Sequence, residues 1–140
     1  MPKRKKTILI IDDESSVRKA IHDILCGRDY RVLEAEGYEE AQSIIGEARG
    51  EIDMLLIDVS LPGKKGLGNG FMIAEALRRI DPDLKLLFMS GRVGAEWSRY
   101  HGVPVTDVHF LAKPFTADEL LDRVKHVLSW TAPLSVRGAL

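Results

Sequence analysis

Five side chains stand where short apolar runs stop. Asp12 and Asp13 follow Thr7–Ile11, Asp58 closes Ile52–Asp58, Ser90 follows Leu84–Met89, and Lys113 follows Val108–Ala112. Three carboxylates gathered at one place repel, so a fold keeps them together only where positive charge offsets them. Hard oxygen donors in a small acidic cleft suit Mg²⁺, with Mn²⁺ as the alternative, ions that retain water and pair with phosphate. A carboxylate is also a nucleophile toward phosphorus and gives an aspartyl-phosphate. Phosphoryl transfer asks mainly for positioning and for positive charge around the equatorial oxygens. Lys113 offers an ammonium and Ser90 a hydroxyl donor to such a centre. Each residue alone has a plainer reading: acids at strand ends open turns or cap helices, Ser90 before Gly91 caps a helix, and a lysine before Pro114 is surface charge. All five at strand ends together favour the chemical reading.

The elements that must position them alternate in kind. Thr7–Ile11, Tyr30–Glu34, Ile52–Asp58, Leu84–Met89 and Val108–Ala112 are short apolar, partly β-branched runs and read as strands. Between them, Val17, Ala20, Ile21, Ile24 and Leu25 recur at helical spacing before Gly27, and Ala41, Ile44, Ile45 and Ala48 do so before Gly50. Phe71–Ile80 is a helix stopped ahead of Asp81-Pro82. Arg92–His101 is a poor helix carrying Gly94, with Trp97 and Tyr100 as its apolar bulk. The last helix opens on a capping box, Thr116 to Glu119, and shows Leu120, Leu121, Val124, Val127 and Leu128 on one face. Leu61–Gly70, with Pro62 and four glycines, is a loop. Five strands alternating with five helices predict an α/β fold: a five-stranded parallel sheet covered by helices on both faces, in the flavodoxin-like order 2-1-3-4-5. Sites in such sheets lie beyond the carboxyl ends of the strands, which is where the five side chains stand.

Composition narrows the rest. The chain has 140 residues, 45% hydrophobic and 29% charged, enough for one domain with a real core. Basic and acidic residues number 20 and 21, so no general field favours nucleic acid or membrane. Residues 1–6, with Lys3-Arg4-Lys5-Lys6, read as a basic, solvated lead-in, 7–130 as the domain, and 131–140 as a tail without pattern. No apolar run nears the roughly 18 residues of a membrane span, and the N-terminus lacks a signal-peptide pattern. Cys26 is a lone cysteine without metal-ligand spacing, expected as a small buried or half-buried residue. Together these features predict a cytoplasmic protein.

The segments IIDDES, LLIDVSLPG, FMSG and FLAKPF, in this order and spacing, resemble the receiver domain of bacterial response regulators. The resemblance covers about residues 5–130. It implies that Asp58 takes a phosphoryl group from a phosphohistidine on a histidine kinase or histidine phosphotransfer protein. It implies that Asp13 and Asp58 ligate Mg²⁺ directly, that Asp12 acts through bound water, and that the Ser60 main-chain carbonyl completes the protein ligands. Lys113 would bind a phosphoryl oxygen, and the Lys113–Pro114 bond would be cis. Ser90 would swing in to the phosphoryl group and Phe110 would act as an aromatic rotamer switch. Phosphorylation would then change the surface formed by the Arg92–Pro104 segment, the fifth strand and the last helix, which a downstream protein partner reads.

Two departures from the family stand out. In the loop after Asp58 the segment GKKGLGNG makes the turn about four residues longer than is usual in the family, and its Lys64 and Lys65 are a solvated tip or a contact for an acidic partner or the phosphoryl group. The ten residues beyond the last helix are too short for an output domain, which fits a single-domain regulator or a piece of a larger protein. FLAKPF is similar to the receivers attached to hybrid histidine kinases. None of His22, His101, His109 and His126 has metal spacing or a phosphodonor context. Two other readings remain: a small phosphatase of the haloacid dehalogenase type, whose Asp-x-Asp is here the adjacent pair Asp12-Asp13, and a receiver-like docking module that is never phosphorylated.

Overall fold

A computed structural model describes residues 4–61, 69–91 and 110–129. Its elements are β1 (Thr7–Ile11), α1 (Ser15–Cys26), β2 (Arg31–Ala35), α2 (Tyr38–Glu47), β3 (Met54–Asp58), α3 (Gly70–Ile80), β4 (Lys85–Ser90), β5 (Phe110–Ala112) and α4 (Ala117–Ser129). The strands form one sheet in the order β2-β1-β3-β4-β5, every pair parallel. The predicted topology is therefore the observed one.

The two faces of the sheet explain the sequence pattern. β1 and β3 are buried along their whole length, because helices cover both sides of the central strands. Leu9, Ile11, Leu55 and Ile57 face α2 and α3 in one cluster, which contains Ala41, Ile45, Phe71, Ala74 and Leu77. Ile8, Ile10, Met54 and Leu56 face α1 and α4 in the other, against Ile21, Leu25, Leu120 and Val124. Alternate residues of a strand thus serve opposite layers, as a period of two requires.

Element ends follow local chemistry. The predicted capping box of α4 is formed in both directions: the Glu119 N–H donates to Thr116 Oγ1 at 3.1 Å, and the Thr116 N–H donates to Glu119 Oε1 at 2.9 Å. Gly27 caps α1 as expected, and the chain reverses two residues later, where Asp29 takes a positive φ of 71°. At the start of α3, Asn69 Oδ1 accepts from the Phe71 and Met72 N–H groups.

Several expectations are corrected. Cys26 is exposed, not buried. The buried stripe of α1 is Ile21 and Leu25, and the next residue lies about 100° further round the helix. β2 and β4 begin and end one residue later than read, so Ser90 is the last residue of β4, paired with Ala112, and does not lie beyond it. Ile52 and Asp53 lie outside β3. The Asp53 carboxylate instead accepts from the Thr7 N–H at 2.8 Å and from Arg4 at 3.0 and 3.2 Å. The basic lead-in is therefore partly tied down, with Lys5 also 3.2 Å from Asp29. The readings for Arg92–His101, for Lys64 and Lys65, for the first residues of the fifth strand and for the tail fall outside the described residues. Among the described residues no helix is long and apolar enough to cross a membrane.

Candidate functional site

The carboxyl ends of β1, β3 and β5 bring three of the anticipated groups into direct contact. Lys113 Nζ donates to Asp58 Oδ2 at 3.1 Å and to Asp12 Oδ2 at 3.3 Å. These residues lie 55 and 101 positions from Lys113 in sequence, so only the sheet order explains their meeting. Asp13 joins them: one carboxylate oxygen from each of Asp12, Asp13 and Asp58 lies within 4.8 Å of the other two. Asp12 and Asp58 are buried, while Asp13 is exposed and leaves the cluster open to solvent.

Each group is held by its own element. The Asp12 N–H continues the ladder to Ala35 O at 3.2 Å, and Asp12 Oδ1 accepts from the Glu14 N–H at 2.9 Å, a turn that opens into α1. Arg18, one turn into α1, donates to the Asp12 main-chain carbonyl at 2.7 Å. Its guanidinium is held at 3.2 Å by Glu34 of the edge strand, which also faces His22 Nδ1 at 2.8 Å. Asp58 is the last residue of β3. Its Oδ1 accepts from the Ser60 N–H at 2.9 Å and the Ser60 hydroxyl at 2.8 Å, leaving Oδ2 to Lys113. The two oxygens of Asp58 therefore stand in different surroundings.

The far side of the cleft is fixed through the main chain. The Lys113 N–H donates to Ser90 O at 2.8 Å, tying the end of β5 to that of β4, and the Lys113–Pro114 bond is cis. Ser90 is buried, and Phe110 is buried beside its register partner Phe88 in the cluster under α3. Phe88 in turn lies against Phe71, with ring centroids 4.8 Å apart.

The electrostatics follow from this burial. Desolvation pushes the Asp12 carboxyl above its ordinary 3.8; the Asp58 charge adds to the rise, while the Glu14 N–H and Lys113 oppose it. Burial alone would lower the Lys113 ammonium. The hydrogen bond to Asp58 and the charges of Asp12 and Asp58 outweigh it and hold the group above 10.5. One ammonium among three carboxylates leaves the cleft net negative. That charge and the all-oxygen donor set fit a hard divalent cation.

Three contributors escaped the sequence reading: Arg18, the Ser60 hydroxyl, and the Asn69-Gly70 pair. Asn69 had a usable signal, since Asn directly before an apolar-periodic run is a helix cap. Arg18 had none, because its partners, the Asp12 carbonyl past β1 and the Glu34 carboxylate of β2, are brought to it only by the pairing of those two strands.

A family model described as the response regulator receiver domain matches residues 8–125. The phosphate regulon transcriptional regulatory protein PhoB of Pseudomonas aeruginosa is 34% identical, over 96% of this chain and 59% of that protein. Sensor kinase CckA of Brucella abortus is 34% identical, over 87% of this chain and 12% of that protein. The chain thus spans only part of each of these relatives. Among solved structures, the receiver domain of the hybrid histidine kinase CckA is similar with a TM-score of 0.69 and 34% identity, over 88% of this chain and 99% of that one. The non-phosphorylated HemR receiver domain from Leptospira biflexa gives a TM-score of 0.74 and 31% identity, over 92% and 98%.

Proposed function

This chain belongs to the response regulator receiver family and is a signalling phosphoacceptor, and on that premise we propose that Asp58 receives the phosphoryl group from a phosphohistidine of a histidine kinase or histidine phosphotransfer protein. In that step an Asp58 carboxylate oxygen forms a bond to phosphorus as the bond from phosphorus to the histidine nitrogen breaks. The electron pair returns to the leaving imidazole, which takes up a proton. The observation that carries the reading is Lys113 Nζ, 3.1 Å from Asp58 Oδ2 and 3.3 Å from Asp12 Oδ2. There its ammonium meets the charge that develops on the equatorial oxygens.

Asp12, Asp13 and Asp58, with the Ser60 main-chain carbonyl, would hold Mg²⁺ or Mn²⁺. When bound, the ion would supply further positive charge and let an anionic donor approach the three carboxylates. The chain's own residues do the rest. Asp12 fixes Lys113, Ser60 fixes Asp58 Oδ1, and the Ser90 hydroxyl at the end of β4 donates a hydrogen bond to an oxygen of the transferred group. Phe110, buried next to Phe88, fills the space that Ser90 vacates, and the surface of the fifth strand and last helix changes for a downstream protein partner.

The test is labelling with a phosphohistidine donor. Wild type takes up label only with Mg²⁺ or Mn²⁺, and Asp58→Asn takes up none. Label that persists in Asp58→Asn would place the acceptor elsewhere.

A further inference from the structure

The structure assigns Gly70 a positioning role for Asp58, an inference that rests on the phosphoacceptor reading above. Gly70 is the first residue of α3, directly after the Asn69 cap. A Cβ built there would lie 2.2 Å from the Asp58 carbonyl oxygen, 2.9 Å from the Asp58 carbonyl carbon and 2.9 Å from Val59 Cα. All three are main-chain atoms, so no rotamer change relieves the overlap. By contrast, a Cβ at Gly46 or Gly91 would meet nothing within 4 Å. What Gly70 contributes is missing volume.

Its other contacts point to the same two residues. The Gly70 N–H donates to Val59 O at 3.0 Å, and the Leu61 N–H donates to Asp58 O at 3.3 Å. The chain thus leaves and rejoins the described structure on the main chain of Asp58 and Val59. Side chains at Gly70 would force a displacement, and packing decides where it goes. Both sides are anchored, α3 by buried Phe71, Ile73, Ala74 and Leu77, and Asp58 by its own burial, its register partner Met89 and the 2.8 Å bond from the Val59 N–H to Met89 O, so the strain falls on the Asp58–Val59 main chain that the added atom would overlap. A shift of that main chain of a few tenths of an ångström carries the Asp58 carboxylate off the position shared by Lys113 and Ser60.

The experiment compares wild type, Gly70→Ala and Gly46→Ala as full chains. It measures Mg²⁺ affinity by calorimetry well below the melting temperature and labelling from a small acyl phosphate at saturating Mg²⁺. A misplacement on the order of 1 Å costs up to about 100-fold in rate. We expect folded Gly70→Ala to bind Mg²⁺ about tenfold more weakly and to label at least about tenfold more slowly, with Gly46→Ala unchanged. A merely structural role would lower the melting temperature and leave both readings of the folded protein alone, and that result overturns the inference. Should Gly70→Ala not fold, the wild-type amide resonance of Gly70 decides. It must move on adding Mg²⁺ while that of Gly46 stays, and a stationary Gly70 resonance overturns the inference equally. Wild type that takes no label strikes the phosphoacceptor reading itself and this inference with it. Labelled wild type with an indifferent Gly70 strikes this inference alone.

Discussion

Arg18 donates a 2.7 Å hydrogen bond to the main-chain carbonyl of Asp12, so a residue in the first helix holds the loop that carries two of the three acids. Its side chain is only 12% exposed and is shared with Glu34, which comes from the edge strand. Replacing Arg18 with Met keeps the apolar stem and removes the donor. Losing a charged donor to a part-buried carbonyl should lower stability by about 1–3 kcal/mol. Freeing the loop should weaken Mg²⁺ binding by about tenfold, as loss of an outer hydrogen bond does at other metal sites. Urea unfolding and calorimetry check the two effects. Wild-type Mg²⁺ affinity in folded Arg18→Met would remove the claim that this bond positions the acids.

Asp12 is strained by its charge. Its folded pKa is raised above 3.8, chiefly by burial and further by the Asp58 charge. The folded state therefore binds this proton better than the unfolded chain does. Its contribution to stability is greatest in acid and falls as pH rises from the ordinary value through the raised one. Asp12→Asn removes that penalty. Without divalent metal at pH 7 the variant should melt higher, and the gain should vanish in acid below the ordinary carboxyl value of 3.8. Saturating Mg²⁺ should reverse the order, because the wild type then gains more from the ion. Thermal melts across that pH range, with and without Mg²⁺, provide the comparison. A variant that melts lower at pH 7 without metal contradicts the assigned direction.

Most of this was legible because a buried parallel sheet leaves the sequence little choice. Runs such as TILII and MLLID, covered on both sides, have no polar face to hide their register. The position of the acids followed, since strand ends in such sheets converge whatever the loops do. What stayed hidden depends on fit between distant elements. Arg18 reaches Glu34 only because β2 lies beside β1. Gly70 looks like one more glycine in LPGKKGLGNG until its distance to the Asp58 carbonyl is known. Cys26 was misplaced for a simpler reason: an apolar period was extended one residue past its last buried member, Leu25.

Thr116 offers a control in which stability and chemistry separate. Its hydroxyl and the Glu119 carboxylate close the first turn of α4, three residues after Lys113. Thr116→Ala removes one arm of the box and should cost about 1 kcal/mol. Lys113 is held independently through its N–H to Ser90 O, so Mg²⁺ affinity below the melting temperature should stay at the wild-type value. Chemical unfolding and calorimetry on the same preparation read both. A drop in Mg²⁺ affinity would mean that the helix start positions the lysine after all.

Lys113 has two tasks that one substitution can separate. As the one cation paired with the Asp12 and Asp58 carboxylates among the described residues, it balances buried charge, and on the proposed reading its ammonium at Asp58 Oδ2 also faces the incoming phosphoryl group. Lys113→Met keeps the stem and removes the ammonium. Breaking such a pair costs several kcal/mol when fully buried; with the lysine 23% exposed, solvent screening reduces this to about 2 kcal/mol at pH 7.5. Because the folded pKa of Lys113 is raised, its stabilisation is present throughout neutral pH and is lost only as pH climbs above 10.5 through the raised value. The difference between wild type and variant should therefore narrow at strongly alkaline pH. Added Mg²⁺ should restore much of the stability, since it supplies the missing charge, yet labelling should stay depressed by at least about 100-fold. Urea unfolding with and without Mg²⁺, run beside a labelling assay, separates the two tasks. Recovery of labelling together with stability would reduce Lys113 to a counter-charge and leave the equatorial oxygens to other donors.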